Sequence, residues 1–418
     1  MMGKAFNTED QSNLFKINYY KKSANMYNSE NVLQGRIRKR YDFTGRQRFV
    51  STPMSFSGGV GSGVLPKSNA GIYEGAIINS NKVYATCEIE REAIKASANN
   101  QGAFVQATKE TVKKTVESYM RNSSRILFGD GTGILADGDA TTTVTGLGTV
   151  ASPYILSFPL PSVFRDVNFE EKDYVQMVDA GAYEDASIYL EVVDVNAGGR
   201  VIKLVNSTGA TAGSTLLTAG AFGVGQSLVM QGSLNEDPTG LKKILDYTIA
   251  ETGSLYNIAY QRRWAMTAND AGGAGVTTDL MNGVMLDVER KFGKVPNLVM
   301  CHYNQFRKIL ALLEDQKVYN LPNRNLKGSL SFQGIEYMST RGPIGIFVDR
   351  FCEEGQIWFL NDDFIETHHR PDFGWFDDDG TVFLREQGSD SYGARYGGYY
   401  ENFITPTAHG CLHNLTTA

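Results

Sequence analysis

The sequence has few cysteines and no arrangement of them that is typical of a disulfide framework. Cys87, Cys301, Cys352 and Cys411 are the four cysteines among 418 residues, and they form no C-x-x-C pair. This spacing favours free, buried thiols in a reducing compartment. The sequence also lacks an apolar run of about 18 residues, which argues against a membrane-spanning helix, and its first 20 residues lack the apolar core of a signal peptide. We therefore expect a soluble intracellular product.

Charge of one sign is not in large excess either. The 40 Lys and Arg residues nearly balance the 46 Asp and Glu residues, which gives a net charge of −6. This charge argues against a protein that binds nucleic acid over its whole surface. The 42% of hydrophobic residues and the 44 glycines against 11 prolines are typical of a globular chain with many tight turns.

Recognisable catalytic motifs are absent. The sequence contains no G-x-S-x-G, H-E-x-x-H or G-x-x-x-x-G-K-[ST]. The glycines at 58–63 are not followed by Lys-Ser/Thr at the required place or by a predicted helix, and those at 129–133 follow a helix and close it, so neither stretch predicts a phosphate loop. We predict no catalytic residue and no cofactor.

Three short motifs have a simpler structural explanation than a functional one. His368 and His369 would point to opposite faces of a strand and could not chelate one metal ion together. The Asp-rich stretch 377–380 lacks the spacing and the distal Glu of a calcium loop and predicts a turn. Cys301 and His302 are sequence neighbours at the end of a strand and would rarely face each other. We predict no metal site.

The stretch 101–136 predicts one long helix around which the rest of the chain is organised. Apolar or small residues recur at steps of three and four: Val105, Thr108, Val112, Val116, Tyr119, Ser123, Ile126 and Leu127. The charged residues lie on the opposite face, which should meet water or a charged partner: Lys109, Glu110, Lys113, Lys114, Glu117 and Arg121.

The first 40 residues are polar with scattered aromatics, and they predict an arm that lies on another surface. A basic cluster follows: Arg36, Arg38, Lys39, Arg40, Arg46 and Arg48. It is either a solvated run of charge or a patch that pairs with an acidic surface, on nucleic acid or on a neighbouring subunit. Two predicted strands, 46–51 and 82–89, then flank a Gly- and Ser-rich stretch that is a linker, a flap or a protruding hairpin.

The rest of the chain alternates between β-rich and mixed segments. Residues 141–232 predict a small inserted β-domain, with a hairpin formed by 186–194 and 200–205. From Asp237 onward, helices near 241–249, 278–292 and 303–313 surround a buried strand at 297–301, which indicates a mixed sheet covered by helices. Residues 332–361 and 392–415 predict further strands.

This order of parts resembles the major capsid proteins of tailed bacteriophages with the Hong Kong 97 fold. The segments that carry the resemblance are GGVGSGVLP (58–66), VYATCEIEREAI (83–94), VPNLVMCHYNQFRKIL (295–310), FQGIEYMST (332–340) and GQIWFLNDDFIE (355–366), together with the FGDGTG end of the long helix. The resemblance implies an α+β fold with an N-terminal arm, an extended loop, a peripheral domain with a spine helix, an axial α/β domain and, here, an inserted β-domain.

The resemblance also implies a division of the chain. The expected parts are an N-terminal arm 1–41, an extended loop 42–85, a peripheral domain with the spine helix 86–140, an inserted β-domain 141–232, an axial domain 233–330, a peripheral β-hairpin 331–394 and a return to the axial domain 395–418.

For function, the resemblance implies a non-enzymatic shell protein of the virion. Such proteins form pentamers and hexamers that close into an icosahedral head around double-stranded DNA, which they contact without sequence specificity. Portal and decoration proteins are further expected partners. About 40 residues before the loop are too few for a cleaved scaffolding segment, so we expect a separate scaffolding protein or none, and assembly in the host cytoplasm.

A subunit interface is the only site that the sequence suggests. We expect the basic cluster to face Asp362, Asp363, Asp377 and Asp378 of an adjacent subunit, and the loop with Gly59, Gly61, Gly63 and Lys67 to reach over the next subunit. Nothing near Asn361 identifies the chemistry of a Lys–Asn cross-link. The competing functions are a nanocompartment shell and, less well supported, a hydrolase built from the α/β and β parts, which would require a pocket of convergent titratable groups.

Overall fold

Five helices and 24 strands are formed by the residues that the structure describes. The computed structural model describes residues 32–55, 71–90, 101–158, 166–196, 200–206, 222–314, 335–339, 342–371, 373–377, 382–385 and 390–417. The helices are α1 Val32–Arg36, α2 Gln101–Phe128, α3 Leu241–Ala250, α4 Thr278–Phe292 and α5 Tyr303–Glu314. The strands are β1 Arg38–Arg40, β2 Gln47–Ser55, β3 Ile72–Asn79, β4 Asn81–Glu90, β5 Ile134–Asp137, β6 Thr143–Thr145, β7 Tyr154–Ser157, β8 Tyr174–Asp179, β9 Ala182–Tyr183, β10 Leu190–Asn196, β11 Val201–Asn206, β12 Gln226–Met230, β13 Ser254–Leu255, β14 Ile258–Ala259, β15 Thr267–Asp270, β16 Leu298–Cys301, β17 Ile335–Ser339, β18 Gly342–Val348, β19 Ile357–Leu360, β20 Ile365–His369, β21 Gly374–Trp375, β22 Leu384–Arg385, β23 Ser391–Ile404 and β24 Gly410–His413.

The contacts divide the chain into two units. The described residues up to Phe128 and from Thr239 onward form the main unit, and Gly129–Pro238 form the inserted unit. The main unit contains two six-stranded sheets, which we call the spine sheet and the mixed sheet.

The spine sheet joins strands from both ends of the chain. Its order is β1-β20-β23-β21, and β4 and β22 also pair with β23. Strand β23 is 14 residues long, and ten of them pair antiparallel with all ten residues of β4. One face of this ladder packs on helix α2, with alternate residues such as Val83, Ala85, Ala394 and Tyr396 in the shared core.

Helix α2 is the long helix that the periodicity predicts, and it runs without a break from Gln101 to Phe128. Of the predicted stripe, the residues whose side chains are described are buried: Val112, Val116, Tyr119, Ser123, Ile126 and Leu127. Lys113 and Lys114 lie on the exposed side, as predicted. The side chains of residues 101–110 lie outside the described part of the chain.

Of the two alternatives predicted for the charged face, water or a charged partner, the structure excludes water for Arg121. Its side chain is only 5% exposed, although the sequence places it on the solvent face. Beyond Ser118 the helix is covered on almost every side, since Arg121, Ser124 and Arg125 are buried as well as the apolar stripe. A two-faced pattern in the sequence cannot show that a second layer covers the polar face.

The mixed sheet has the order β15-β24-β19-β16-β18-β17. Strand β16, predicted as a buried strand, is buried at all four positions and lies parallel to β18 and antiparallel to β19. Helices α4 and α5 cover one face, with Val284, Val288 and Ile309 against Val299 and Phe359. Both ends of α4 have local caps: Thr277 Oγ1 accepts a hydrogen bond from the backbone N–H of Leu280 at 3.2 Å, and Gly293 ends the helix at φ +78°.

The inserted unit is an eight-stranded sheet of order β5-β12-β8-β10-β11-β7-β6, with β9 on β8. Its core is formed by the inward-facing residues of these strands, among them Leu156, Val175, Leu190, Ile202 and Leu228. The predicted hairpin is present as the antiparallel pair β10 and β11. Within the described residues of the chain, no helix is long and apolar enough to cross a membrane.

Two boundaries differ from the sequence-based division. Strand β5 pairs with β12, so the inserted unit begins at Gly129 and not at residue 141. Strands β17, β18 and β19 join the mixed sheet beside β16, whereas the sequence grouped 331–394 with the peripheral hairpin. These strands belong to the mixed sheet because β18 and β19 pair with β16 on its two sides, and β17 pairs with β18. Such pairings over long sequence distances leave no local signal.

The described cysteines are all free, and three of the four are buried, in line with the sequence. Burial raises the pKa of Cys301 to about 12, which keeps this thiol protonated and unreactive.

Gly397 provides a test of the spine sheet. Its φ is +149°, and a Cβ atom at this position would lie against the carbonyl oxygen of Val83 on β4. We expect Gly397→Ala to lower the free energy of unfolding by about 2 kcal/mol or more, because both the backbone conformation and the close approach of the strands require glycine. The measurement is urea unfolding followed by circular dichroism.

Gly75→Ala is the matched control, since Gly75 also lies in a strand but has nothing within 4 Å of the added Cβ atom. A loss of stability that is equal in the two variants would contradict the assigned role of the β4–β23 contact.

Candidate assembly site

The basic cluster forms an edge strand of the spine sheet. Strand β1 lies parallel to β20, with Arg38 opposite Glu366 and Arg40 opposite His368. Because successive side chains of a strand point to opposite faces, Arg38 and Arg40 share one face and Lys39 lies on the other. An edge strand that carries charge resists pairing with further strands.

Four ion pairs connect this segment to the acidic residues around β20. Arg40 Nε lies 2.7 Å from Glu366 Oε2, and Arg38 Nη1 lies 3.7 Å from Glu366 Oε1. Arg38 and Arg36 lie 4.0 Å from Asp363 and Asp362. The hydrogen bond to Glu366 raises the pKa of Arg40, so this guanidinium stays charged.

These pairs bring predicted residues together within one chain. The sequence predicts Asp362 and Asp363 as partners of the arginines but places them on an adjacent subunit. In the structure, the pairs join residues of one chain, because β1 docks on β20 of the same polypeptide. Asp377 is half-buried and has its own interactions within the chain, and Asp378 lies outside the described residues.

The other face of β1 is a partly buried cationic and aromatic layer. Burial lowers the pKa of Lys39 to about 8. His369 is 3% exposed, its pKa is lowered to about 3 by burial and then by Lys39, and its ring stacks on Tyr41 with centroids 5.3 Å apart. A neutral imidazole packed between rings has a structural role.

His368 lies on the opposite face of β20, with Nε2 3.5 Å from Glu366 Oε2. Burial lowers the pKa of His368, so it too is neutral at pH 7. Among the described residues, no group of three His, Cys, Asp or Glu side chains is placed to hold a metal ion.

Arg48 and Arg46 lie beyond β1, where the chain turns into the next strand. Arg48 Nη1 lies 2.6 Å from Asp42 Oδ1, and this hydrogen bond lowers the pKa of Asp42. Arg46 is exposed. The cluster is therefore largely paired within the chain, and solvent screening limits the energy of each exposed pair to about 0–1 kcal/mol.

Strands β2 and β3 pair antiparallel as a separate two-stranded sheet, which we call the extended hairpin. The sequence left a linker, a flap and a protruding hairpin open, and the paired strands show a hairpin. Three of its large apolar side chains are exposed: Phe49 at 68%, Ile72 at 55% and Tyr73 at 59%. The tip with Gly59, Gly61, Gly63 and Lys67 lies outside the described residues.

The hairpin is attached to the main unit at one end, which we call the hairpin root (residues 76–81). Ala76 and Ile78 are fully buried there, and the N–H of Ile77 donates to the carbonyl of Tyr256 at 2.9 Å. Farther out, Arg263 Nη1 donates to the carbonyl of Met54 at 3.1 Å. A two-stranded hairpin in water is marginally stable on its own, so its outer half requires another surface.

Sequence reasoning missed a buried polar cluster behind the hairpin root. Glu401 on β23 is 4% exposed and accepts hydrogen bonds from Asn81 and from the backbone N–H of Thr239. The available signal was a glutamate inside the aromatic and apolar run YYENFI (399–404), where a charged residue breaks the pattern of a buried strand.

Charge-swapped variants can test whether the ion pair between Arg40 and Glu366 forms within one chain or between two chains. Arg40→Glu alone and Glu366→Arg alone should each weaken the docking of β1 by about 1 kcal/mol. The readout is the rate of chymotryptic cleavage after Tyr41, which should rise about fivefold. Combining both substitutions in one chain should restore the slow rate.

Co-expression of the two single variants distinguishes pairing within one chain from pairing between neighbouring subunits. Each chain then lacks its own partner, so cleavage should stay fast. If the pair joined neighbouring subunits, the mixture would recover much of the protection, and the same-chain assignment would be wrong. Arg46→Glu, at an exposed position for which the described residues show no ion pair, is the control.

Comparison with known proteins agrees with this architecture. The sequence profile of the family described as SU10 major capsid protein matches residues 228–416, somewhat under half of the chain. Comparison with curated proteins gives no match.

Among solved structures, the capsid asymmetric unit of cyanophage A-1(L) matches with a TM-score of 0.54 at 10% sequence identity, over 93% of this chain and 93% of that chain. The capsid of Myoviridae phage XM1 is less similar, with a TM-score of 0.41 at 10% sequence identity, over 92% of this chain and 91% of that chain. The structure from Mycobacterium phage Bobi matches with a TM-score of 0.43 at 7% sequence identity, over 92% of this chain and 90% of that chain. Scores below 0.5 add nothing to the assignment.

The cyanophage match shows the fold, and the profile match shows that the segment from β12 to the C-terminal residues is similar to the SU10 major capsid protein family. Both agree with the prediction from sequence. The chain therefore has the fold of this phage capsid subunit, as predicted from the sequence, and its residues 228–416 are similar to the SU10 major capsid protein family.

Proposed function

We propose that this chain is a major capsid protein, which assembles into pentamers and hexamers that close into an icosahedral head around double-stranded DNA. The observation that carries the proposal is the extended hairpin, which exposes Phe49, Ile72 and Tyr73 and, outside its root, is held among the described residues by side-chain hydrogen bonds from Arg263 and Gln261. An apolar hairpin of this kind gains order when another copy of the chain covers it.

The energetics favour such an arrangement. Full burial of a Phe, Ile or Tyr side chain contributes about 1.5–3 kcal/mol, so covering these three side chains offsets a substantial part of the cost of ordering the hairpin. Obligate interfaces of roughly 2,000–5,000 Å² are typical of permanent assemblies.

Within this proposal, helix α2 and the spine sheet form the peripheral domain, and the mixed sheet with α4 and α5 forms the axial domain. The extended hairpin reaches over the next subunit. The inserted unit is an addition to this plan, and a separate scaffolding protein, a portal and decoration proteins complete the assembly. The chain acts structurally and not as an enzyme, in particles that form in the host cytoplasm and become virions.

The proposal is tested by electron microscopy of the expressed chain and of Phe49→Ser/Tyr73→Ser. We expect regular hollow particles from the unchanged chain, and at least a tenfold loss of particles from the double variant. Both positions are more than half exposed, so the soluble double variant should keep its circular dichroism spectrum and thermal unfolding midpoint.

Val150→Ser, at a position 88% exposed in the inserted unit, is the matched control and should still form particles. Normal particles from the double variant would refute the role of the hairpin. A small discrete oligomer from the unchanged chain, under all conditions tried, would refute the shell proposal itself.

A further inference from the structure

The cluster around Glu401 lies where three distant segments of the main unit meet. Glu401 is on β23, Asn81 is in the hairpin root, and Thr239 precedes helix α3. Glu401 Oε2 lies 3.0 Å from Asn81 Nδ2, and Oε1 accepts the backbone N–H of Thr239 at 2.5 Å. The carboxyl group therefore connects the hairpin root to the body of the unit.

Neighbouring hydrogen bonds extend this cluster to the carbonyl that holds the hairpin. Asn402 Nδ2 donates to the carbonyl of Thr239 at 3.0 Å, and Tyr256 Oη donates to the carbonyl of Asn402 at 2.7 Å. The carbonyl of Tyr256 in turn accepts the N–H of Ile77. Movement of Glu401 into water would thus disturb both attachments of the root, through Asn81 and through Tyr256.

Glu401 has no ion-pair partner among the described residues. The titratable groups that face it are Lys243 on α3, Tyr256 in the β13–β14 turn and His368, which is its cross-strand neighbour on β20. Lys243 is exposed and attracts the carboxylate only weakly, while His368 is buried and neutral near pH 7. A buried carboxylate without a cation is costly.

A protonated Glu401 fits the same positions of the heavy atoms. Its Oε1 still accepts from Thr239, and its Oε2–H donates to the side-chain oxygen of Asn81 once that amide is turned by 180°, an exchange that leaves the shape of the amide unchanged. Proton uptake therefore removes the buried charge without breaking the cluster.

We propose that Glu401 is a proton-controlled hinge of the extended hairpin: the root is closed when Glu401 carries a proton, and ionisation favours an open root in which the carboxylate reaches water. Water can reach the ionised carboxylate, and so lower the free-energy cost of its burial, only if Asn81 or the first residues of α3 move away from it. In a shell, which rests on the proposed function, the hinge would make the angle of the hairpin depend on pH.

The pH range follows from linkage. Burial, the dominant cause, raises the pKa of Glu401 to about 7 in the closed state, and an open, hydrated carboxyl has a pKa of about 4.3. The closed state binds the proton more tightly, so its stabilisation is complete at low pH and is lost as the pH rises through about 7. Between pH 6 and pH 8, the ratio of closed to open states should fall about tenfold.

Hydrogen exchange at the Ile77 amide in the full-length protein tests the hinge, because this N–H is bonded only when the root is closed. After correction for the intrinsic exchange rate at each pH, protection should fall about tenfold from pH 6 to pH 8. In Glu401→Gln, which stays neutral, protection should be high and change less than twofold. An infrared band of a protonated carboxyl group at pH 6 should be missing in this variant.

Glu184→Gln is the matched control. Burial also raises the pKa of Glu184, but this residue lies in the inserted unit and should leave the tenfold change at Ile77 intact. Equal protection of the unchanged protein at pH 6 and pH 8, or a tenfold fall that persists in Glu401→Gln, would overturn the proposal. Neither result depends on whether particles form, so the hinge and the shell function can fail separately.

Discussion

The antiparallel ladder between β4 and β23 is the contact on which the main unit depends. It pairs ten residues, from Asn81 opposite Tyr400 to Glu90 opposite Ser391, across about three hundred residues of chain. Closing so long a loop costs entropy that grows only slowly with length, and the apolar face of the ladder compensates by packing on helix α2. Because the two ends of the chain are joined here, the segment between them can accept an additional unit of 110 residues.

The same ladder explains why a buried acid lies behind the hairpin root. Strand β23 continues past the end of β4 to Ile404, and its next residues, Glu401 and Asn402, reach the start of α3 and the β13–β14 turn. One position of this extension carries a carboxyl group, although an apolar residue would fill the space without a desolvation cost. A group that costs stability at such a junction is better explained by the control of a movement than by rigidity.

Local patterns made the helices and their ends predictable. The periodicity of α2, the Thr277 cap and the Gly293 end of α4 depend on residues close in sequence, and the structure contains them all. The burial of Arg121 and the placement of β17 in the mixed sheet depend on segments that are far away in sequence. The arginines of the basic cluster were predictable only in part. Charge alone indicated acidic partners, but the pairing within one chain depends on the docking of β1 on β20.

That difference changes which residues are expected to drive assembly. Arg36, Arg38 and Arg40 already have acidic partners within the chain, so a neighbouring subunit could gain from them only by breaking pairs that contribute about 0–1 kcal/mol each. Phe49 and Tyr73 have more than half of their surface exposed, and burying either contributes about 1.5–3 kcal/mol. The larger gain belongs to the hairpin. In the proposed hinge, a proton on Glu401 sets the angle at which the hairpin presents those side chains, which would place a control of assembly at a residue that lies behind the hairpin root.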